Sequence, residues 1–447
     1  LRKAPNSYLY DQKSIELRGG ATIDAPFGFG EISFLVGGFL YESNLETFSP
    51  LTAGQDIEEY LLGPAGFELA TGAPPVLGSA GFSTLGEVAA ALGLPPLPSV
   101  LAGDGSSFFL DQKTTSQAVF GNLAWRFLEQ FELSLGGRLS FEKKEARIQN
   151  VCFDPGVLCA ALMIQEFTRD ETRDEEDFSP KVTLSWFPLD DLTLFATRAQ
   201  GFKSGAYNNF SFTADTIEVD SEKAISWEVG GKGRTLDGSL SYALTLFWME
   251  VEDLQLQNTL GALVQVRNAG SARTRGVEVD LQWLSPWEPL AIRGSGAYTD
   301  GEFLEFPNAP PVAGSSATAQ NLEGRDMPFV PEWQMNLTPE LRFPVPSPIA
   351  YFSDGLELIG ALDFLYRSEF YLDSDLDPHT LEDDTVMLNA RFGVATADGR
   401  LSLTLAVDNV TDADVLEYQT DSLLYPGGYV SMQEFQRTWG LTAKYAF

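Results

Sequence analysis

Histidine is almost missing from this chain: His379 is the single one among 447 residues. Any His-based triad therefore has one candidate base, and that base sits in an acidic stretch. Cysteine is scarce too. Cys152 and Cys159 stand alone, which leaves no second Cys pair for a zinc site. Basic residues are heavily outnumbered, with 29 Lys and Arg against 63 Asp and Glu and a net charge of −34. That argues against nucleic acid as a partner, because phosphate binding needs a basic face. No run of about 18 apolar residues occurs, which excludes a transmembrane helix. It does not exclude the membrane, since barrel strands alternate and leave only a weak hydropathy signal. Gly-x-Ser-x-Gly, His-Glu-x-x-His and a phosphate-binding glycine loop are all absent, so no catalytic residue, cofactor or metal is assigned.

What is present is alternation. Leu240, Tyr242, Leu244, Leu246 and Trp248 form one apolar row, and Val277, Val279, Leu281 and Trp283 interleave with Glu278, Asp280 and Gln282. Val386, Leu388, Ala390, Phe392 and Val394 repeat the pattern, as do Leu401, Leu403, Leu405 and Val407. At the end of the chain Trp439, Leu441, Ala443, Tyr445 and Phe447 alternate with small or polar residues. A period of two places such sets on opposite faces of a strand. Charges such as Arg138, Glu278, Asp280 and Arg391 fall in mid-strand, where a water-filled or plugged lumen tolerates them better than a sandwich core would.

Read this way, the sequence predicts about fifteen strands: roughly 12–22, 31–48, 113–126, 131–149, 170–187, 192–203, 221–235, 239–258, 263–285, 289–306, 329–343, 355–372, 383–397, 399–409 and 434–447. Short links near 129–130, 188–191, 237–238, 285–286 and 398–399 alternate with long ones near 49–112, 150–169, 204–220, 307–328, 373–382 and 410–433. The link at Leu260-Gly261 is short where a long one is due. Loop lengths segregated by parity are the outer-membrane pattern of short periplasmic turns and long external loops. Trp125, Phe127, Phe131, Trp186, Phe187, Trp283 and Trp287 sit beside three short links, as an interfacial girdle would. The 49–112 loop is rich in Gly, Pro and Ala, and Leu85, Val88, Ala89 and Leu92 have the spacing of a short helix within it. If short turns are periplasmic, both the first and the last strand run inward. An odd count starting on a descending strand reads as a barrel whose leading strands lie outside this sequence. The start at Leu1 without a signal peptide fits a processed chain or a fragment.

Asp154-Pro155-Gly156 lies between the cysteines, and its turn makes a local Cys152–Cys159 disulfide sterically reasonable, ahead of free thiols or a metal. Tyr207, Asn208, Asn209 and Phe210 open the 204–220 loop with aromatic faces and amides. That composition suits a ligand mouth, and equally suits the loop's own packing. The acidic stretch around His379 (Asp373, Asp375, Asp377, Glu382, Asp383, Asp384) lacks the spacing of an EF-hand loop and reads as solvated.

Four stretches resemble TonB-dependent outer-membrane receptors: Phe178–Thr197, Gly201–Asn208, Val266–Asp280, and Ala406–Asp412 with the terminal Phe447. They follow the family's order, and the resemblance covers essentially the whole chain. It implies an all-β antiparallel transmembrane barrel of 22 strands, of which residues 1–447 supply about fifteen as its C-terminal part. It also implies a plug and a TonB box, neither of which these residues contain. The implied function is energy-coupled uptake of a scarce nutrient, such as a ferric siderophore, across the outer membrane of a Gram-negative bacterium. The alternative is a structural or adhesive barrel without transport. The partners implied are outer-membrane lipid and lipopolysaccharide, the TonB complex, the nutrient ligand and the barrel-assembly machinery. Trp439, Tyr445 and Phe447 would form the signal read by that machinery.

Overall fold

The computed structural model describes residues 2–3, 7–25, 30–52, 103–153, 156, 159, 164–208, 211, 213–260, 263–312, 315, 317, 319–346, 355–421, 428–434 and 436–446. One antiparallel sheet dominates, with sixteen strands of which one is the two-residue Arg2–Lys3. The fifteen long strands are β1 (Ser7–Asp24), β2 (Glu31–Thr52), β3 (Gly105–Phe127), β4 (Phe131–Cys152) and β5 (Phe167–Leu189). They continue as β6 (Leu192–Lys203), β7 (Glu222–Thr235), β8 (Leu240–Leu260), β9 (Leu263–Leu284) and β10 (Leu290–Glu305). The last five are β11 (Trp333–Val345), β12 (Leu356–Arg367), β13 (Thr385–Thr396), β14 (Leu401–Asp408) and β15 (Thr438–Tyr445). Each pairs with its neighbours in sequence, and among the described residues β1 and β15 do not pair with each other.

Hydrophobic alternation sets the register. Leu244 faces Val279, Leu246 faces Val277 and Tyr242 faces Leu281 across β8 and β9. Leu405 faces Leu441 and Val407 faces Trp439 across β14 and β15. A one-residue slip would turn each apolar row to the polar face, so these pairings are strongly specified. The rows point outward: Leu246 is 51% exposed, Phe392 60% and Leu441 71%. Contiguous apolar exposure on this scale needs a lipid neighbour rather than water. Between strands, Phe195 lies opposite Gly230 and Phe247 opposite Gly276. A Cβ on Gly276 would meet the Phe247 ring at 2.8 Å and the Tyr298 carbonyl at 2.0 Å, so only glycine fits there.

Short turns gather at one end. Phe127 and Phe131 flank a turn whose Leu128 and Glu129 take positive φ. Trp125, Phe127, Phe131 and Trp186 form a chain of rings 4.9, 5.7 and 6.1 Å apart around it. Trp287 meets Phe343 at 5.6 Å beside another. These are the ring clusters expected of an interfacial girdle.

The fifteen expected strands are all present, with shifted ends. A membrane crossing needs only about 9–11 residues, yet β3 has 23 and β8 has 21. The surplus runs past the membrane at the long-loop end. The strand expected at 113–126 therefore begins at Gly105, and the loop expected at 49–112 gives up both its margins to β2 and β3. The rest of that loop, with the expected 84–92 helix, lies outside the described residues. The exceptional link at Leu260-Gly261 has the same explanation, because β8 and β9 stay paired as far as Leu260 and Leu263. At β11 the strand begins four residues late, at Trp333. Pro331 has no N–H to give a ladder.

Three small hairpins were not expected from sequence. Ala206–Tyr207 pairs with Glu218–Val219, Phe370–Tyr371 with Leu381–Glu382, and Leu416–Asp421 with Tyr429–Gln433. All lie in long connections, and two buried clusters lie at that same end. One joins Ala269, Ala272, Phe303, Phe306, Leu322 and Leu376; the other joins Phe108, Leu110, Ala146, Ile148, Tyr207 and Ile217. The long-loop end is thus a packed body with its own core.

Candidate functional site

The 204–221 segment is fastened from several sides. Lys144 Nζ donates to Ser204 Oγ, and the Gly205 amide donates to the Glu175 carboxylate at 3.0 Å. Arg173 holds Glu175 at 2.6 Å and Asp220 at 3.1 Å. Gln255 Nε2 donates to the Ser204 and Asp220 carbonyls at 3.0 and 2.9 Å.

Within this segment the candidate ligand residues turn inward. Tyr207 is 6% exposed, its ring packs in the Phe108–Ile148–Ile217 cluster, and its hydroxyl has no hydrogen-bond partner among the described residues. Burial, reinforced by Glu218 and Glu171, pushes the phenol up to about 12. Asn208 is equally buried and acts as a substitute for backbone. Its Nδ2 donates to the Thr216 and Val266 carbonyls at 2.9 and 3.0 Å, and its Oδ1 accepts from the Val266 amide at 2.9 Å. Both side chains are engaged within the protein, in the loop packing that the composition equally suited. Asn209 and Phe210 lie outside the described residues.

The polar face carries the charge. Below the loops a recess of about 500 Å³ is lined by Glu278, Asp280, Gln334, Asn336, Arg367 and Glu434, among others. A neighbouring recess includes Arg293, Thr338, Asp363 and Arg391. The opposite face of the same strands offers Val277, Val279, Leu281, Trp333, Leu337 and Phe364. Ion pairs run along the polar side: Arg391 with Asp363 at 3.2 Å, Arg342 with Glu340 at 2.7 Å and with Glu357 at 3.2 Å. A charge that would be ruinous against lipid is neutralised here by a neighbour two residues along the strand or one strand away.

Two features at the rim escaped the sequence reading. Phe329 is 46% exposed and stacks on Tyr418 at 6.3 Å with planes 6° apart. Its φ of 62° is unusual for so large a side chain, and its amide donates to the Tyr371 carbonyl at 2.9 Å. The available signal was Pro328-Phe329-Val330-Pro331, a proline-bracketed aromatic read as the start of a strand.

The acidic stretch is the second feature: Asp373, Asp375 and Asp377 are buried rather than solvated, while Asp383 and Asp384 are exposed as expected. Asp375 is 3% exposed and Asp377 1%. Asp377 Oδ2 accepts from the Tyr429 hydroxyl at 2.6 Å and its Oδ1 contacts His379 Nδ1 at 2.9 Å. Burial, with further aspartates close by, pushes Asp375 up to about 7 and Asp421 up to about 6. The spacing along 373–384 hid this, because Asp421 and Tyr429 arrive from a hairpin some forty residues on.

The cysteines are joined across a Cα–Cα distance of 6.1 Å, closing the start of the β4–β5 connection. Trp439 and Tyr445 stand outward on β15, 67% and 61% exposed, while Phe447 lies outside the described residues.

Residues 19–410 match the model of the TonB-dependent receptor-like β-barrel family. The chain belongs to that family. It is an outer-membrane receptor barrel. The pesticin receptor of Yersinia enterocolitica is 22% identical over 342 residues, covering 74% of this chain and 43% of that protein. The ferric yersiniabactin uptake receptor of Yersinia pestis superposes with a TM-score of 0.70 at 17% identity, over 99% of this chain and 55% of its own. The siderophore receptor PiuA of Acinetobacter baumannii gives 0.64 at 14% identity, over 98% of this chain and 56% of its own. The receptor chain thus spans about half the length of the relatives it matches.

Proposed function

We propose that the receptor takes up a ferric siderophore across the outer membrane. The observation that carries this reading is the segregation of the long connections. Their described parts sit at one end of the barrel and pack into a rim above a polar, ion-paired face, as a receptor that captures a solute outside and passes it inward requires. The siderophore class comes from the relatives, whose names include ferric yersiniabactin uptake and siderophore receptors. Exposed aromatic faces suit the rim of such a site, and the stacked Phe329–Tyr418 pair is the first contact assigned to the ligand. Uptake is energised by the TonB complex, engaged through a part of the receptor outside these residues. Lipid and lipopolysaccharide cover the apolar rows. The barrel-assembly machinery reads the end of the chain, where Trp439 and Tyr445 face outward.

The test is iron-limited growth and radioactive-iron uptake in a strain deleted for the gene, fed a panel of ferric siderophores. Loss of uptake for at least one of them, reproduced by deleting TonB, supports the reading. Unchanged uptake across the panel refutes it in favour of a structural or adhesive barrel.

A further inference from the structure

We propose that Asp375, Asp377 and Asp421 form a Ca²⁺ site that clasps the connection between β12 and β13 to the Leu416–Gln433 hairpin. One oxygen from each carboxylate lies within 4.8 Å of the others. Oxygens sharing one Ca²⁺ at roughly 2.3–2.6 Å stand no further apart than about twice that distance, so the three are close enough to share a cation.

Proximity of acids alone would carry little, but Asp375 adds a separate observation. Its Oδ1 accepts from the Asp377 amide at 3.0 Å, while its Oδ2 is buried and, among the described residues, has no hydrogen-bond partner. Asp421 Oδ1 is likewise buried and without a partner among the described residues. An anionic oxygen held out of water without a donor is costly unless a cation meets it. Among the described residues no lysine or arginine forms an ion pair with these three side chains; the one ion-pair contact is His379 with Asp377. The other atoms around them are already committed. Tyr429 donates to Asp377 Oδ2, and Asp373 Oδ2 accepts from the Asp421 amide at 3.3 Å. The two segments therefore meet through aspartates on both sides, with the free oxygens left between them.

The donor chemistry selects the metal. All three ligands are hard carboxylate oxygens, which suit Ca²⁺ or Mg²⁺ over the softer metals that favour imidazole and thiolate. Mg²⁺ demands near-octahedral ligands at about 2.0–2.1 Å and sheds its water reluctantly. Carboxylates brought together from two irregular segments suit the larger ion, whose coordination geometry is the more flexible. The consequence is local: Asp421 lies on the same strand as Tyr418, so the clasp would fix the hairpin that carries half of the stacked aromatic pair.

The test uses the full-length receptor in detergent, stripped with EDTA and titrated with CaCl₂ by isothermal calorimetry, with limited proteolysis of the 368–384 and 416–433 segments in parallel. We expect Ca²⁺ to bind with a dissociation constant between about 10⁻⁶ and 10⁻³ M and to slow cleavage in both segments. The double variant Asp375→Asn/Asp421→Asn should bind at least about tenfold more weakly and lose the protection, with its heat-modifiable barrel mobility retained. Asp421→Asn alone should weaken binding in the same direction and serves if the double variant fails to fold. Asp383→Asn, an exposed aspartate outside the cluster, should behave as wild type. Absence of a Ca²⁺ response, an undiminished response in the aspartate variants, or an equal response to Mg²⁺ would each overturn the assignment.

Discussion

Asn208→Ala separates a structural from a ligand-binding role for the 204–221 segment. The substitution removes three hydrogen bonds and strands the Val266 amide and carbonyl in a region where Asn208 itself is 6% exposed. Each group left dry and unpaired costs about 1–3 kcal/mol, and partial water entry relieves some of it, giving about 2–4 kcal/mol for undocking the segment. At 1.36 kcal/mol per decade this is about a 30-fold to 1000-fold rise in local opening. The global barrel should not melt earlier, because none of these bonds belongs to the sheet ladder. The assay is amide hydrogen exchange on the full-length receptor, followed at the Asn208 amide, which donates to the Ile217 carbonyl at 2.7 Å. Tyr207→Phe is the companion. Its hydroxyl has no partner among the described residues, so removing it should leave exchange within about threefold or slow it, and uptake unchanged. If Asn208→Ala alters exchange by less than about threefold while uptake falls, or if Tyr207→Phe abolishes uptake, the structural reading is wrong and the ligand mouth returns.

Two further outcomes test the cysteines and the faces. The Cys152–Cys159 bridge predicts that, before reduction, neither Cys152 nor Cys159 takes up a maleimide label, and that both are labelled after reduction and unfolding, as read by peptide mass spectrometry; labelling of either without reductant contradicts it. Leu441→Arg should lower the unfolding free energy in lipid by about 2–4 kcal/mol, as charges at mid-bilayer do, whereas Thr442→Arg on the other face should cost under about 1 kcal/mol; equal losses in denaturant titrations would invert the assigned faces.

The sheet was readable because its information is local. Every long strand announces itself by period-two alternation, and register follows once Leu244 can face Val279 and Leu405 can face Leu441. Strand ends were less readable, since β3 and β8 continue into water, where the apolar row stops but the ladder does not. The rim was hardly readable at all. Tyr207 and Asn208 have the composition of a binding loop, yet their partners are Phe108, Ile148, Thr216 and Val266, and nothing within the loop points to β3, β4 or β9. Asp375 carries no trace of Asp421 in its own neighbourhood. Long-range polar contacts between irregular segments have no periodicity to betray them.

The acidity of the chain becomes intelligible once it is placed along a strand. In β5 the loop-side half, Phe167–Asp177, contains Asp170, Glu171, Asp174, Glu175, Glu176 and Asp177, while the turn-side half alternates Phe178, Pro180, Val182, Leu184 and Trp186 with polar residues. The 23 residues of β5 are about twice what a crossing needs, so one half can serve water and the other lipid without conflict. The carboxylates of the outer half are then used as fasteners: Glu175 takes the Gly205 amide, and Arg173 beside it reaches Asp220. A surplus of negative charge that would forbid insertion if spread along the strand instead anchors the outer body of the receptor, and the apolar rows below it remain free to meet the membrane.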